Sequence, residues 1–423
     1  MSKAILANRI ILDVDKQLEE ELKEKLTYHI PPKSHLDKPV TLKCWSRVNH
    51  TVMSIPIGRE DLIPEGYNIV DNRSYVDAKF PKFKFELRPS QQDVYDEVDG
   101  NCIINAKPAY GKTFTGLAVA GKLEQKTLIV THTTMLRDQW VQEVEKVYGF
   151  TPDIIGSGQF AVNTPIVVAN VQTLTKRVLD VNRTFGTLIL DECHHTPAST
   201  FINIIDKMRC AYKIGLTATL GRKDGKHVLI TDYFSKHVIR PPNENSLKPK
   251  ILVKKLDAQF PAGKTWADRI TTLETDPWYI ALIAKLADQA AEAGHKVLVI
   301  CSRVSFAEAL VNKCERNAVA LTGETEDRDA VLASLDTTND IICSTTGLFS
   351  EGISKNSLSC LILAAHLNNP FLLDQVVGRI TRIVPGKKPP VVVDITFKGP
   401  MAKKQLSTRF GYYLEAGYEF EYI

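Results

Sequence analysis

The feature that most constrains this chain is an alternation. From about Asn101 onward, short runs of Ile, Val and Leu at residues 102–105, 127–130, 166–169 and 187–190 are separated by longer stretches of helical pattern. A short continuous apolar run fits a strand buried on both faces, which in turn implies a parallel sheet covered by helices. The spacing therefore predicts an α/β chain. The alternation breaks at residues 241–249, where proline, asparagine and serine cluster as in a linker. It resumes with runs at 297–301, 341–344, 358–364 and 391–395, set between helical stretches at 277–293 and 305–316. Two parallel-sheet domains in tandem are expected, in keeping with 423 residues at roughly 150 per domain.

The first residues read differently. Leu18, Leu22 and Leu26 recur at helical spacing and residues 40–57 alternate like antiparallel strands, so a small α+β accessory module is expected over 1–78. The first parallel-sheet domain is then expected over 79–242, the second over 243–400, and a basic and aromatic tail over 401–423. With 44% hydrophobic and 24% charged residues, the composition is that of a soluble globular protein. No apolar run approaches the roughly 20 residues a bilayer requires, and the N-terminal segment lacks the pattern of a secretory signal. The cytoplasm is the expected compartment, with no membrane partner.

Eight cysteines are scattered without close pairs, which argues against a zinc ribbon or disulfide framework and suits small buried hydrophobes. Net charge is only +4, from 53 basic and 49 acidic residues. Its distribution is more informative. Arg379, Arg382, Lys387, Lys388, Lys398, Lys403, Lys404 and Arg409 face a single acid, Asp394, across that stretch, a pattern that suits either phosphate contacts or a solvated basic edge.

The chemistry concentrates at strand ends. Ala106, Lys107, Pro108, Ala109, Tyr110, Gly111, Lys112 and Thr113 follow the first apolar run and precede a helical stretch at 114–123. That is the strand, loop, helix setting of a phosphate-binding loop: backbone N–H groups draw phosphates, Lys112 reaches the terminal ones, and Thr113 can ligate Mg²⁺. A tight turn without ligand is the alternative. Asp191 and Glu192 end the run at 187–190, where Asp191 would hold the metal and Glu192 would polarise the attacking water. A metal cluster of Cys193, His194 and His195 is the competing reading, weakened because three adjacent residues cannot all face one ion from a regular backbone. Thr217 and Thr219 form a hydroxyl-rich turn after another run. Gln375, Arg379 and Arg382 fall in one segment. If it is helical, the two arginines share a face and can stabilise charge on a transferring phosphoryl group, a surface phosphate contact or salt bridge being the alternative.

With motifs in this order, the chain resembles the superfamily 2 helicases and translocases from about Leu87 to Ile395. The resemblance implies two RecA-like domains with ATP and Mg²⁺ in the cleft between them. Arg88 and Gln91 resemble the adenine-reading motif, residues 106–113 motif I, and residues 191–195 motif II in its DExH form. Thr217 and Thr219 resemble the coupling motif III. Residues 344–353, with Gly352 toward ATP, resemble motif V, and residues 375–382 motif VI. Thr131, His132 and Thr133 with Gln139 and Trp140, and Asn170 through Gln172 and Thr173, resemble motifs Ia and Ib, which hold the nucleic-acid backbone. Ser302, Arg303 and Thr345 carry the same implication in the second domain. Ala109 stands where a glycine is common, Val376 where an arginine is frequent, and Ser354 where an aspartate is common.

Residues 215–225 are most similar to the branch that holds the excision-repair helicase and the phage helicases that remodel forks. The stretch 40–64 is similar to that branch's small DNA-binding accessory domain. The resemblance thus implies an ATP-driven motor on branched or forked DNA, acting as a monomer alongside replication or recombination proteins. An RNA helicase of the DExH type, an ATPase subunit of a larger complex, and a metal nuclease are the alternatives.

Overall fold

The computed structural model describes residues 2–30, 39–194, 198–218, 220, 228–242, 244, 246–350 and 355–423. They form two compact units, Met1–Lys107 with Gly111–Asn243, and Pro108–Tyr110 with Glu244–Ile423.

The first unit opens with a five-stranded sheet in the order Ser46–Asn49, Val52–Pro56, Arg9–Asp13, Lys3–Leu6, Asn68–Asp71, antiparallel except for its last pair. The helix Lys16–Lys25 lies beside it in sequence, capped by the Asp15 carboxylate, which accepts from Leu18 N at 2.8 Å. The leucine spacing is borne out: Leu22 and Leu26 are buried. Their core is continuous with that of the following sheet, from Ile10 and Ile55 through to Phe234.

That second sheet runs Gln159–Phe160, Asp153–Gly156, Ile166–Asn170, Thr127–Thr131, Thr187–Leu190, Tyr212–Thr217, Cys102–Asn105, Val238–Ile239. All neighbours are parallel except the first pair. The four runs singled out by sequence are all strands here, and each is buried nearly throughout because helices cover both faces.

The second unit holds a seven-stranded sheet in the order Ala318–Leu321, Ile341–Thr345, Lys296–Cys301, Leu358–Leu363, Val391–Lys398, Lys250–Gln259, Phe420–Tyr422, parallel at every pairing. The predicted helices appear as Pro277–Glu292 and Val304–Lys313. The first of these starts cleanly because Asp276 caps it and Pro277 occupies its first position, where no N–H is needed.

Residues 401–423 are not a tail. They form the helix Pro400–Glu415 and the edge strand Phe420–Tyr422, tied to the sheet by Arg409 and Tyr413, both buried against Asp394. Arg409 thereby leaves the basic run read from sequence as a phosphate-contacting surface. Seven of the eight cysteines are buried and Cys314 is half-buried, none in a disulfide. Among the described residues, no helix is long and apolar enough to cross a membrane.

Candidate nucleotide and nucleic-acid site

In the first unit, the predicted residues gather at the carboxyl ends of adjacent parallel strands. Gly111 caps the helix Lys112–Leu123 with φ +94°, a left-handed conformation that glycine adopts without strain. A Cβ there would lie 2.9 Å from Gln91 Nε2 and 3.3 Å from the Arg88 guanidinium, so the Arg88 and Gln91 side chains rest directly on the loop over 106–113. Gln91 is itself fixed, its Oε1 accepting from Arg88 N at 3.1 Å. Ala109 also sits at positive φ, +66°, which explains physically why glycine is common at this position: alanine there costs about 1 kcal/mol.

Lys112 reaches back across the loop. Its Nζ donates to the Ala106 carbonyl at 3.3 Å and lies 3.6 Å from Glu192 Oε1. Asp191, one residue past the strand Thr187–Leu190, is buried, with Oδ2 accepting from the Trp140 indole N–H at 2.8 Å and Oδ1 from Glu192 N at 2.9 Å. Burial and the neighbouring Glu192 carboxylate raise its pKa to about 6, against the opposing pull of Trp140 and Lys112. The pair thus carries more negative charge than one lysine balances.

Motif III residues meet motif II here. His194 Nδ1 lies 2.7 Å from Thr217 Oγ1 and 3.4 Å from Glu192 Oε2, while Thr217 O accepts from Ala106 N at 2.9 Å. A single chain of contacts therefore joins Lys112, Glu192, His194 and Thr217. Thr219 and Gly352 lie outside the described residues, as does His195. Among the described residues, no group of three His, Cys, Asp or Glu side chains is placed to hold a metal by itself. Buried Cys193 packs toward Gly215.

The residues resembling motifs Ia and Ib come together on neighbouring strands, with Thr131 paired to Asn170. Thr133 caps the helix Thr134–Tyr148, accepting from Leu136 N at 3.2 Å, and Gln172 Nε2 donates to the His132 carbonyl at 2.9 Å. Thr173 lies in the first turn of the adjoining helix Val171–Val181. Arg137, which carries no motif signal in the sequence, ties the two motifs: it is buried and donates to Asn170 Oδ1 at 3.0 Å and Ser157 Oγ at 2.7 Å. Trp140 does not hold a strand. It is only 1% exposed, so its place beside Asp191 corrects the reading that grouped it with the backbone-binding residues.

In the second unit, Ser302 and Thr345 follow or end paired strands, Lys296–Cys301 and Ile341–Thr345. Ser302 N donates to Glu274 Oε1 at 2.9 Å, and Arg303 donates to the Ala267 carbonyl at 3.1 Å. Gln375 is buried on the helix Pro370–Val377. That helix stops before the arginines, so Arg379 and Arg382 do not share a helical face. The chain tightens through bonds from Arg379 N to Val376 O and Ile380 N to Val377 O. It is then drawn into an extended bridge by Leu247 N, which donates to Thr381 O at 2.7 Å and leaves Arg382 paired with Ser246. Arg382 donates to Asn356 Oδ1 at 2.8 Å.

Comparison with known proteins shows the family. Residues 84–222 match the family described as "Type III restriction enzyme, res subunit", and residues 279–384 match "Helicase conserved C-terminal domain". "Probable helicase D10" of Escherichia phage T5 is 36% identical, across 99% of this chain and 95% of the relative. The chain belongs to the superfamily 2 helicases. As a helicase of this family it is an enzyme that couples ATP use to work on nucleic acid, built on two RecA-like domains in tandem. A second relative, "ATP-dependent DNA helicase uvsW" of Enterobacteria phage T4, is 25% identical over 73% of this helicase and 68% of its own length. The fold is shared with S. cerevisiae Dbp5, solved bound to RNA and ADP BeF3, at a TM-score of 0.58 and 12% identity over 80% of this chain and 94% of that one.

Proposed function

We propose that this helicase is an ATP-driven motor on branched or forked DNA, reversing forks or migrating branches in recombination or repair. The observation that carries the reading is the placement of Lys112 3.6 Å from Glu192, beside a buried Asp191 at a parallel sheet's carboxyl edge. A lysine for terminal phosphates and two acids for metal and water are the parts phosphoryl transfer to water needs. Asp191 and Glu192 outweigh Lys112 in charge, a donor set that suits a divalent cation bridging protein and phosphates. Mg²⁺ would be held by Thr113 and Asp191 and would neutralise phosphate charge. Glu192 would orient the attacking water, Arg88 and Gln91 would read adenine, and Gln375, Arg379 and Arg382 would complete the site from the second RecA-like domain.

The nucleic-acid strand would lie on Thr131, His132, Thr133, Gln172 and Thr173, with Ser302, Arg303 and Thr345 as the second grip. Closure of the two domains on ATP and reopening on hydrolysis would change each grip and make a step. The module over 1–78 would contact the duplex arms. The preference for DNA over RNA rests on the T4 relative, whose name is that of a DNA helicase. The test is steady-state hydrolysis by wild type and Lys112→Ala without nucleic acid and with single-stranded DNA, duplex, a fork, a four-way junction and structured RNA. Lys112-dependent stimulation greatest with forks and junctions is expected. Stimulation by RNA alone would replace the DNA reading, and hydrolysis indifferent to Lys112 would remove the motor.

A further inference from the structure

Beside the loop that holds Ser302 and Arg303 stands a tryptophan outside every motif named above. Trp266 opens the helix Trp266–Glu274 and is 43% exposed. Single exposed apolar residues are ordinary, so exposure alone says nothing. What singles this one out is how firmly it is held and what it stands next to.

The indole stacks on Phe260 with centroids 5.5 Å apart and planes 21° from parallel. Phe260 in turn packs on half-buried His366 at 4.7 Å and on buried Phe397 at 5.6 Å. The indole is thus backed by a cluster of rings while the residue keeps 43% of its surface exposed. The backbone under it is fixed from both sides. Thr265 and Asp268 form a reciprocal cap, Asp268 N donating to Thr265 Oγ1 at 3.1 Å and Thr265 N to Asp268 Oδ2 at 3.0 Å. Arg269 Nε donates to the Gly263 carbonyl at 3.1 Å, closing the preceding loop.

The same short helix is bolted to the proposed strand grip at both ends. Arg303 donates to Ala267 O near its start, and Glu274, buried at its last residue, accepts from Ser302 N. An aromatic plane, an arginine and a backbone-binding serine are therefore held in fixed relation by one nine-residue element. A flat ring presented beside a cationic side chain is the arrangement with which proteins hold single-stranded nucleic acid, the base stacking while the cation tracks the phosphate.

We propose that Trp266 is a base-stacking platform for one nucleotide of a bound single strand, with Arg303 positioned for the adjoining phosphate. This rests on the reading of Ser302 and Arg303 as strand contacts. Because stacking has no hydrogen-bond pattern to match, the platform would accept any base.

The experiment compares binding of a fluorescein-labelled oligo-dT with a labelled oligomer of equal length made of abasic sites, for the full chain and for Trp266→Ala and Trp266→Phe, over a series of salt concentrations. Loss of affinity for oligo-dT on the order of tenfold in Trp266→Ala is expected, from the energy of one base stacked on an aromatic ring. The abasic oligomer should bind both proteins equally, Trp266→Phe should recover part of the loss, and the salt slope should not change. Equal affinity of wild type and Trp266→Ala for oligo-dT would overturn the platform, as would an equal loss on the abasic oligomer. Salt-dependent binding that ignores Trp266 would sink the platform alone, whereas no strand binding by the wild type would overturn it together with the strand-grip reading.

Discussion

The indole N–H of Trp140 donates to Oδ2 of Asp191 at 2.8 Å, and both side chains are buried. Trp140 belongs to the helix Thr134–Tyr148, whose cap is Thr133, one of the residues proposed to grip the strand. A second side of the ring closes on the phosphate-loop helix, since a Cβ at Gly116 would lie 3.3 Å from Trp140. The helix that begins at a proposed strand contact thus places a hydrogen bond on an acid of the proposed ATP site. Trp140→Phe keeps the ring and removes the donor. Nucleic-acid-stimulated hydrolysis is expected to fall about tenfold, more than basal hydrolysis, with about 1–2 kcal/mol of stability lost from a bond to a charged acceptor. Rates measured with and without oligonucleotide check this, and an equal loss in both would reduce Trp140 to a packing role.

Gly58 marks where the N-terminal module meets the end of the helix Val228–Tyr233 in the first unit. A Cβ there would lie 2.5 Å from the Asp232 carbonyl oxygen and 2.7 Å from the Phe234 carbonyl carbon, both backbone atoms that cannot swing away. Close by, the fully buried Asp232 carboxylate accepts from Tyr28 at 2.7 Å and from Arg59 at 3.3 Å. Gly58→Ala should cost about 2–3 kcal/mol through overpacking. The denaturation midpoint is the measurement, and an unchanged midpoint would mean the module is not locked at this point.

How much of this is legible in the sequence depends on which force shapes each segment. Strands buried on both faces must be apolar throughout, so runs such as 102–105 and 187–190 announce themselves, and the acids and lysine at their ends follow. Lys250–Gln259 escapes notice because it alternates charged with buried residues and reads as a continuation of the linker, although it lies inside the seven-stranded sheet of the second unit. The edge strand Phe420–Tyr422 is exposed along its length and carries no burial signal at all. Trp140 is legible as part of a motif but not as the partner of Asp191. Proximity in space between residues 51 positions apart leaves no local trace.

Lys213 is fully buried, its amine donating to the Asn8 and Ile205 carbonyls at 3.3 Å. Burial lowers its pKa to about 8, opposed only in part by Cys210 and Asp206. Below that pH the folded chain carries the full cost of a buried ammonium. Between about 8 and the ordinary 10.5 the unfolded chain holds a proton that the folded chain has released, so this contribution makes stability rise with pH. Lys213→Met should therefore gain up to about 3 kcal/mol at pH 7, less what the two carbonyls lose, and should flatten the rise between pH 8 and 10. Urea midpoints of both proteins across that range decide it; parallel curves would show that Lys213 does not titrate as described.

Asp394 and Arg409 decide whether the basic stretch of the second unit acts as one surface. Arg409 Nε donates to Asp394 Oδ2 at 2.8 Å, its second nitrogen lies 2.8 Å from Oδ1, and the Tyr413 hydroxyl adds a bond of 2.9 Å. With the side chains only 4% and 1% exposed, the arginine cannot reach a phosphate without unfolding the helix Pro400–Glu415 from its sheet. Asp394→Asn leaves a buried guanidinium without its counter-charge and should cost about 3–5 kcal/mol. Replacing both, Asp394→Asn with Arg409→Met, should recover part of that loss because no unpaired charge remains. The same double variant should bind single-stranded DNA with an unchanged salt slope, since removing a cation that neutralises one phosphate would flatten that slope by about 0.7. A flatter slope would return Arg409 to the nucleic-acid surface, and a single variant as stable as wild type would show that the pair does not hold the C-terminal helix.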